Sequence, residues 1–419
     1  VIDRNKFVRE WIANGASVAV LALTGLLLNA LIAKWYGSAA LGIFNQAFAV
    51  LVFASQIATA GVQFSVLRHL PPAAEDPAQT SRILTSALVL VMVTASITTA
   101  IVFAGFRLAG DRVFSPGVTE GVMLMLPGLW CIAVNKTLLN ALNGIQANSL
   151  YAALVSLRYV LILLFLLAAI AMRLRGEQLA VVLSGSEVVL LVVLIVVCGR
   201  RFPQWRRAPD AAWTATHWRF GWQSMPGGFA VELNSRIDVL ILGMFTTDTI
   251  VGVYSFAAFF VEGLLQIPVI TRRLIDPVLA RMAGQDGDAL RALLARGRNI
   301  AALAAAAVGC AAVAAYPWYA TLAGTPELAQ ASWPVFGILM VGACVFGIYA
   351  TFVGIFAQTG RPMIQTRLNL AILGINVVLN LILVPVYGLL GAAVATGLSF
   401  VAGTLYFRSL VRRHLSLRF

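Results

Sequence analysis

Arg236-Ile237-Asp238-Val239-Leu240-Ile241-Leu242-Gly243-Met244-Phe245 lies inside a stretch, Gly221 to Gln266, built from two long apolar runs that carry Glu232, Arg236, Asp238 and Glu262. The connector Met244-Phe245-Thr246-Thr247-Asp248-Thr249 joins them. A soluble helix would turn such charges to water, but Val239–Met244 and Ile250–Val261 leave little polar face for that. An ionisable group held at membrane depth costs roughly 2.5–3.5 kcal/mol on insertion scales, so it lines a cavity or pairs with another. The stretch therefore reads as part of a polar route through an apolar protein.

The surrounding chain has the matching composition. Of its 419 residues 60% are hydrophobic and 11% charged, with mean hydropathy +0.89. A soluble domain carries roughly 25% charged residues. Apolar runs of about 20 residues, long enough to cross the hydrocarbon core, recur from end to end. The expected fold class is an all-α polytopic membrane protein. The run beginning near Ile12 is followed by many more and is expected to be a retained span, not a cleaved signal peptide. The net charge of +13 does not point to nucleic acid, because the basic residues sit in short loops. Cys131, Cys198, Cys310 and Cys344 fall in apolar runs without CxxC spacing and are expected as buried thiols.

Twelve spans are expected, near 12–33, 43–66, 83–106, 118–142, 150–172, 179–198, 221–243, 250–271, 299–322, 333–357, 368–386 and 389–407. With loops assigned alternately, one side carries 22 Lys or Arg and the other 5, which places both termini in the cytoplasm. Trp11, Trp35, Trp205, Trp213, Trp218, Trp222, Trp318 and Trp333 lie at or near span ends, where interfacial belts form. Residues 288–296 read as a short amphipathic helix on the cytoplasmic face, following Gly284-Gln285-Asp286-Gly287.

An internal repeat divides the chain. Leu41-Gly42-Ile43-Phe44-Asn45-Gln46-Ala47-Phe48 matches Val251-Gly252-Val253-Tyr254-Ser255-Phe256-Ala257-Ala258 at an offset of 210, and Ala180-Val181-Val182-Leu183 falls on Gly391-Ala392-Ala393-Val394 at 211. Chance likeness between apolar helices is the competing explanation. The expected organisation is two six-helix lobes, 1–198 and 221–419, joined by a basic cytoplasmic linker, 199–220. Paired repeats around a midplane site are a recurring transporter design.

The polar residues inside spans form stripes. Asn45, Gln56, Thr59 and Gln63 share a helical face, as do Lys136, Asn140 and Asn143, and as do Asn369, Asn376 and Asn380. Packing and cavity lining both account for the amide stripes, since polar groups also hold membrane helices together. Glu232 and Arg236, four apart, fit either a structural pair or a site. Lys136 and Arg158 need a partner across the bundle, with Glu187 a candidate, or an anionic ligand. The histidines, His69, His217 and His414, lie outside the spans, and no Walker loop GxxxxGK[ST] is present, so transport would draw on an ion gradient, membrane potential or substrate concentration.

At this point a resemblance can be stated. Arg236 to Phe245 with Val251-Gly252-Val253-Tyr254-Ser255 resembles the seventh-to-eighth span signature of bacterial polysaccharide flippases, the O-antigen-type lipid-linked oligosaccharide exporters of the multidrug/oligosaccharidyl-lipid/polysaccharide (MOP) superfamily. Asn380-Leu381-Ile382-Leu383-Val384-Pro385-Val386-Tyr387-Gly388-Leu389-Leu390-Gly391-Ala392-Ala393 is similar to the turn between that family's last two helices, and Gly360-Arg361-Pro362 to the segment before its eleventh. Two positions depart from the pattern. Lys34-Trp35-Tyr36-Gly37-Ser38 stands where an arginine and a glycine-proline are usual, and Phe44 stands for a tyrosine.

The resemblance implies alternating access and a polyprenyl-pyrophosphate-linked glycan flipped across the inner membrane. The substrate-binding cavity would comprise Arg236, Lys136, Arg158, Asn140, Asn143, Gln56 and Asn376, with Glu232, Asp238, Glu262 and Glu187 as ion-coupling candidates. Implied partners are that glycan, membrane lipids and the polysaccharide polymerase machinery. No cofactor, metal or catalytic residue is implied. The alternatives are an ion-coupled multidrug exporter and a membrane enzyme acting on the same carrier, the latter disfavoured by short outward connectors that carry few acids. Buried charges locked against one another would count against the escort of an anion.

Overall fold

The computed structural model describes residues 4–202, 208–282 and 287–415, and every long regular element among them is an α-helix. The contacts group into two compact units. One comprises the chain up to Leu28 together with Ile43–Glu232; the other comprises Asn29–Gly42 and Leu233–Phe419.

The first unit takes most of α1 (Arg4–Thr59), α2 (Val62–His69), α3 (Pro77–Val113), α4 (Pro116–Gly144), α5 (Asn148–Ala171), α6 (Val181–Arg201) and α7 (Ala211–Asn234). Gly37, at φ 84° and ψ 176°, interrupts α1, so one long helix holds two spans. The expected span 43–66 is not one helix either. It breaks where Ala60 and Gly61 take positive φ, leaving Gln63 on α2 and Asn45, Gln56 and Thr59 on α1.

Helix α4 is the core of this unit. Its apolar window is 72% buried, against 22% for α5, which turns most of its surface outward. Pro127 interrupts α4, and a proline cannot sit in a helix without disturbing the backbone bonds around it. Ser184 of α6 repairs the gap: its Oγ donates to the carbonyl of Leu124 at 2.7 Å and accepts from the amide of Gly128 at 3.0 Å. No water is available at membrane depth to satisfy such groups, so a neighbouring side chain must do it.

The segment expected as a linker is partly built into the first unit. Asp210 caps α7 through the amides of Ala212 and Trp213, at 2.8 and 3.2 Å. Its own amide donates to Ser86 of α3 at 2.8 Å. His217 is fully buried, bonded through Nε2 to the Ile83 carbonyl at 3.0 Å and through Nδ1 to Ser65 at 2.8 Å. Trp205 lies outside the described residues.

The second unit holds α8 (Ile237–Phe245), α9 (Asp248–Met282), α10 (Gly287–Ala323), α11 (Pro326–Ala350), α12 (Ile355–Gln358) and α13 (Pro362–Leu415). Gly388, at φ 53°, interrupts α13 as Gly37 does α1. The amphipathic helix expected at 288–296 is not separate, because α10 runs unbroken from Gly287 to Ala323; residues 284–286 lie outside the described ones. The core packs Tyr349, Phe352, Ile355, Phe356, Leu368 and Phe407 together. Cys131 and Cys198 are buried as expected, but Cys344 is half-buried and Cys310 is exposed, on a helix whose apolar window is only 17% buried.

Nine helices among the described residues are long and apolar enough to cross a membrane. Two of them, α1 and α13, each hold a pair of expected spans, and span 221–243 is divided between α7 and α8. Trp35, Trp218, Trp222, Trp318 and Trp333 are all exposed at expected span ends. This is a multi-pass helical membrane protein.

Gly42 and Gly252, paired by the repeat, mark a close approach inside the second unit. A β-carbon on Gly42 would collide with the carbonyl of Asp248, and one on Gly252 with the carbonyl of Ser38. The contact is reciprocal, since Ser38 and Asp248 are themselves related by the offset of 210. Equivalent residues exchanging equivalent contacts are what a two-fold relation produces.

Candidate functional site

Each unit has its own cluster of buried charge. In the second, the chain leaves α7 at Asn234 and re-enters helix at Ile237, with Arg236 in between at φ −137°. A helix broken at membrane depth exposes backbone groups and side chains that a continuous helix would direct elsewhere. Glu232 therefore lies near the end of one helix and Arg236 just before the next.

The Arg236 fork goes to Glu262 of α9. Nη1 donates to Oε1 at 3.1 Å and Nη2 to Oε2 at 2.9 Å, with the guanidinium over the Phe259 ring at 4.4 Å from its centroid. Two parallel charge-assisted bonds make this the strongest carboxylate geometry arginine offers. The pair is not sealed: Glu262 keeps 33% of its side-chain surface exposed.

Asp238, in the first turn of α8, is buried and held on both oxygens. Tyr254 of α9 donates to Oδ2, Thr396 of α13 donates to the same oxygen at 3.3 Å, and the amide of Val239 reaches Oδ1 at 2.8 Å. Three helices thus converge on one carboxylate. Asn376 of α13 donates to Asn234 Oδ1 at 3.2 Å and accepts from Asn380 at 2.7 Å, tying α13 to the break after α7.

In the first unit Arg158 of α5 meets Glu187 of α6, Nε to Oε1 at 2.7 Å. Asn135 of α4 donates to Glu187 Oε2 at 2.8 Å and to its carbonyl at 2.9 Å. The expected cross-bundle partner of Arg158 is therefore the one present. Lys136, next to Asn135, donates to the hydroxyl of Ser55 at 3.0 Å rather than to a carboxylate. It lies within electrostatic reach of Glu232, Glu187 and Arg158. Glu232 itself is half-buried.

Of the remaining expected residues, Asn140 bonds its own helix through its side chain, whereas Asn143 and Gln56 accept bonds through their own carbonyls. Asn140 Nδ2 donates to the Lys136 carbonyl at 2.8 Å, and the Asn143 carbonyl accepts from Gln146 at the helix end at 2.9 Å. Gln56 is buried, its carbonyl accepting from Thr59 at 3.1 Å. Sequence reading missed Ser55, Asn135, Phe259, Tyr254 and Thr396. Tyr254 was in view as a repeat position, and Asn135 beside a buried lysine was the available signal for the other cluster.

Solved structures share the fold. MurJ, a lipid II flippase in an inward closed conformation, has TM-score 0.76 with this protein at 14% identity, over 96% of this chain and 87% of that one. An inward-facing multidrug resistance MATE family transporter of the MOP superfamily gives 0.71 at 15%, over 96% and 98%. A MOP superfamily transporter from Pyrococcus furiosus gives 0.59 at 15%, over 98% and 95%. The fold is that of the MOP superfamily.

Among relatives in sequence, a probable flippase, AglR of Haloferax volcanii, is 23% identical over 410 residues, 93% of this chain and 80% of that protein. The polysaccharide biosynthesis protein family model matches residues 7–282, and the chain belongs to that family.

Proposed function

We propose that this protein flips a polyprenyl-pyrophosphate-linked oligosaccharide from the cytoplasmic to the outer face of the inner membrane, for a cell-surface polysaccharide of the O-antigen kind. The observation that carries the reading is likeness over 93% of the chain to a protein named as a probable flippase. The family match and the fold shared with a lipid II flippase support it. In this reading residues 1–198 and 221–419 are the two lobes, 199–220 connects them, both termini are cytoplasmic, and the lobes alternate access to the two faces. Contact with the polymerase machinery on the receiving side follows from the product.

Both arginines are paired with carboxylates, which counts against escort by bare cations; in this reading the anion instead exchanges with the carboxylate. A guanidinium fork matches phosphate oxygens as well as it matches a carboxylate. In the second unit an anion would take Arg236 from Glu262; in the first, it would take Arg158 from Glu187, with Lys136, held by a hydroxyl, as a further cation. Asn140, Asn143, Gln56 and Asn376 offer hydrogen bonds to sugar. A proton arriving on Glu262 would release Arg236, which makes Glu262, with Glu187, Glu232 and Asp238, the carboxylates on which ion coupling rests.

Vesicles containing the purified protein, a fluorescent lipid-linked oligosaccharide and, in parallel, a cationic dye test the proposal with and without a proton gradient. The lipid should be flipped, and Arg236→Ala should slow it at least tenfold at normal protein abundance. Dye export without lipid movement would establish the multidrug exporter that likeness to a multidrug transporter favours. Bond formation on the carrier would establish an enzyme instead.

A further inference from the structure

The C-terminal end of α13 has two faces. Phe407, Leu410 and Val411 turn inward and pack in the core with Tyr349 and Phe356. On the other side, Leu405, Arg408, Ser409, Arg412 and Arg413 line a hollow of about 290 Å³. Positions 405, 408, 409 and 412 follow the i, i+3, i+4, i+7 spacing that sets residues on one helical face. Leu405, Arg412 and Arg413 are exposed, while Arg408 and Ser409 are half-buried. The Arg408 guanidinium lies 5.9 Å from the centroid of the Tyr349 ring, which ties the hollow to α11. Arg361, the residue before α13, donates through Nη1 to the His414 carbonyl, so the two ends of α13 meet next to Arg413.

The charge collected here is of one sign. Glu327 is the last acidic residue in the sequence, so α13 and the segment leading into it hold no carboxylate side chain. Among the described residues Arg412 and Arg413 form no ion pair. The helix dipole favours cations in a last turn, which accounts for Arg412 and Arg413. It falls off before Arg408, and like charges four apart, as 408 and 412 are, weaken a helix. Three guanidiniums around one hollow are suited to an anion that all can share, and phosphate offers oxygens that match their forks. Leu405 lies within the expected last span, 389–407, and the arginines lie just past its end. A phosphate attached to hydrocarbon meets both conditions, whereas a soluble anion would leave Leu405 unused.

We propose that this hollow binds the phosphate headgroup of an anionic phospholipid in the leaflet that faces the cytoplasm. Basic pockets on that side of membrane helices suit such headgroups. A phosphate held there would fix the end of α13, and with it the core around Tyr349, at the membrane surface. The site is independent of what the protein transports.

Photolabelling separates a shaped site from the general attraction of basic segments to anionic lipid. The full chain is reconstituted in phosphatidylcholine vesicles that contain a little phosphatidylglycerol with a diazirine beside its headgroup. Label should concentrate in 405–413, and unlabelled phosphatidylglycerol should compete for it while glycerol 3-phosphate should not. Arg412→Lys combined with Arg413→Lys keeps the charge and alters only exposed side chains, so the thermal midpoint should hold. Losing the two forks should still cut labelling about fivefold, because a lysine meets phosphate only as a point charge. Arg408→Lys, made alone, should act in the same direction. Labelling unmoved in both variants would mean that bulk charge suffices, which overturns the proposal. Equal competition by glycerol 3-phosphate would overturn it in favour of a soluble-phosphate site, and equal labelling by a phosphatidylcholine analogue of the probe would overturn it outright.

Discussion

Asp238 is a carboxylate whose role is set by the atoms around it. At the repeat offset of 210 it aligns with Leu28 and its donor Tyr254 with Phe44. Where the hydroxyl is missing the carboxylate is missing too, as it must be if neither can be buried alone. Tyr254→Phe should cost about 1–3 kcal/mol by leaving the carboxylate short of a donor. Adding Asp238→Leu, which recreates the pair of the first half, should recover most of that loss in thermal unfolding. His217, outside the expected spans, behaves in the opposite sense from a surface histidine. Burial, with His69 nearby acting the same way, brings it down to about 4 from the usual 6.5. The unfolded chain therefore takes up more protons between those values, so His217 contributes stability above pH 6.5 that disappears as pH falls toward 4. The thermal midpoint in detergent should drop across that window, and His217→Gln should flatten the drop.

At the scale of elements, two crossings hold the architecture by different means. Gly42 and Gly252 bring backbone to backbone, where no side chain can be tolerated. Gly42→Ala and Gly252→Ala should each destabilise by roughly 1–3 kcal/mol, the usual cost of overpacking. Because both act at one contact, the double variant should cost less than the sum, a coupling that thermal unfolding of the four proteins would measure. Ser184 instead uses a hydroxyl to bridge the defect that Pro127 leaves in α4. Both features lie beside functional clusters: α8, which begins just after the Arg236 break, leads into the start of α9, and α4 and α6 carry Asn135 and Glu187. In the proposed mechanism, rigid crossings beside the ion pairs would let the pairs exchange partners while the helices keep their register.

For the molecule as a whole, loop charge decides orientation, because basic loops resist translocation. Fluorescent reporters fused at either end should both report the cytoplasm. Removing the arginines at 200, 201 and 219 should weaken that bias without unfolding the chain. The periodic apolar runs and the break-prone glycines made the helices legible from sequence, down to the turn at Gly388. The α7–α8 break was not legible, because Asn234-Ser235-Arg236 contains neither proline nor glycine. Its polar groups are satisfied from α9 and α13, which are distant in sequence.

The amino-acid sequence by itself determined that the chain lives in a bilayer, how many times its apolar runs can cross it, that its halves repeat, and which few charges lie at membrane depth. These are consequences of composition and period, and each residue contributes to them locally. Only the tertiary structure decided the partners: Arg236 with Glu262, Arg158 with Glu187, Asp238 with Tyr254 and Thr396. A buried charge must find its counterpart in space, and helix packing, not sequence spacing, sets which groups come within reach.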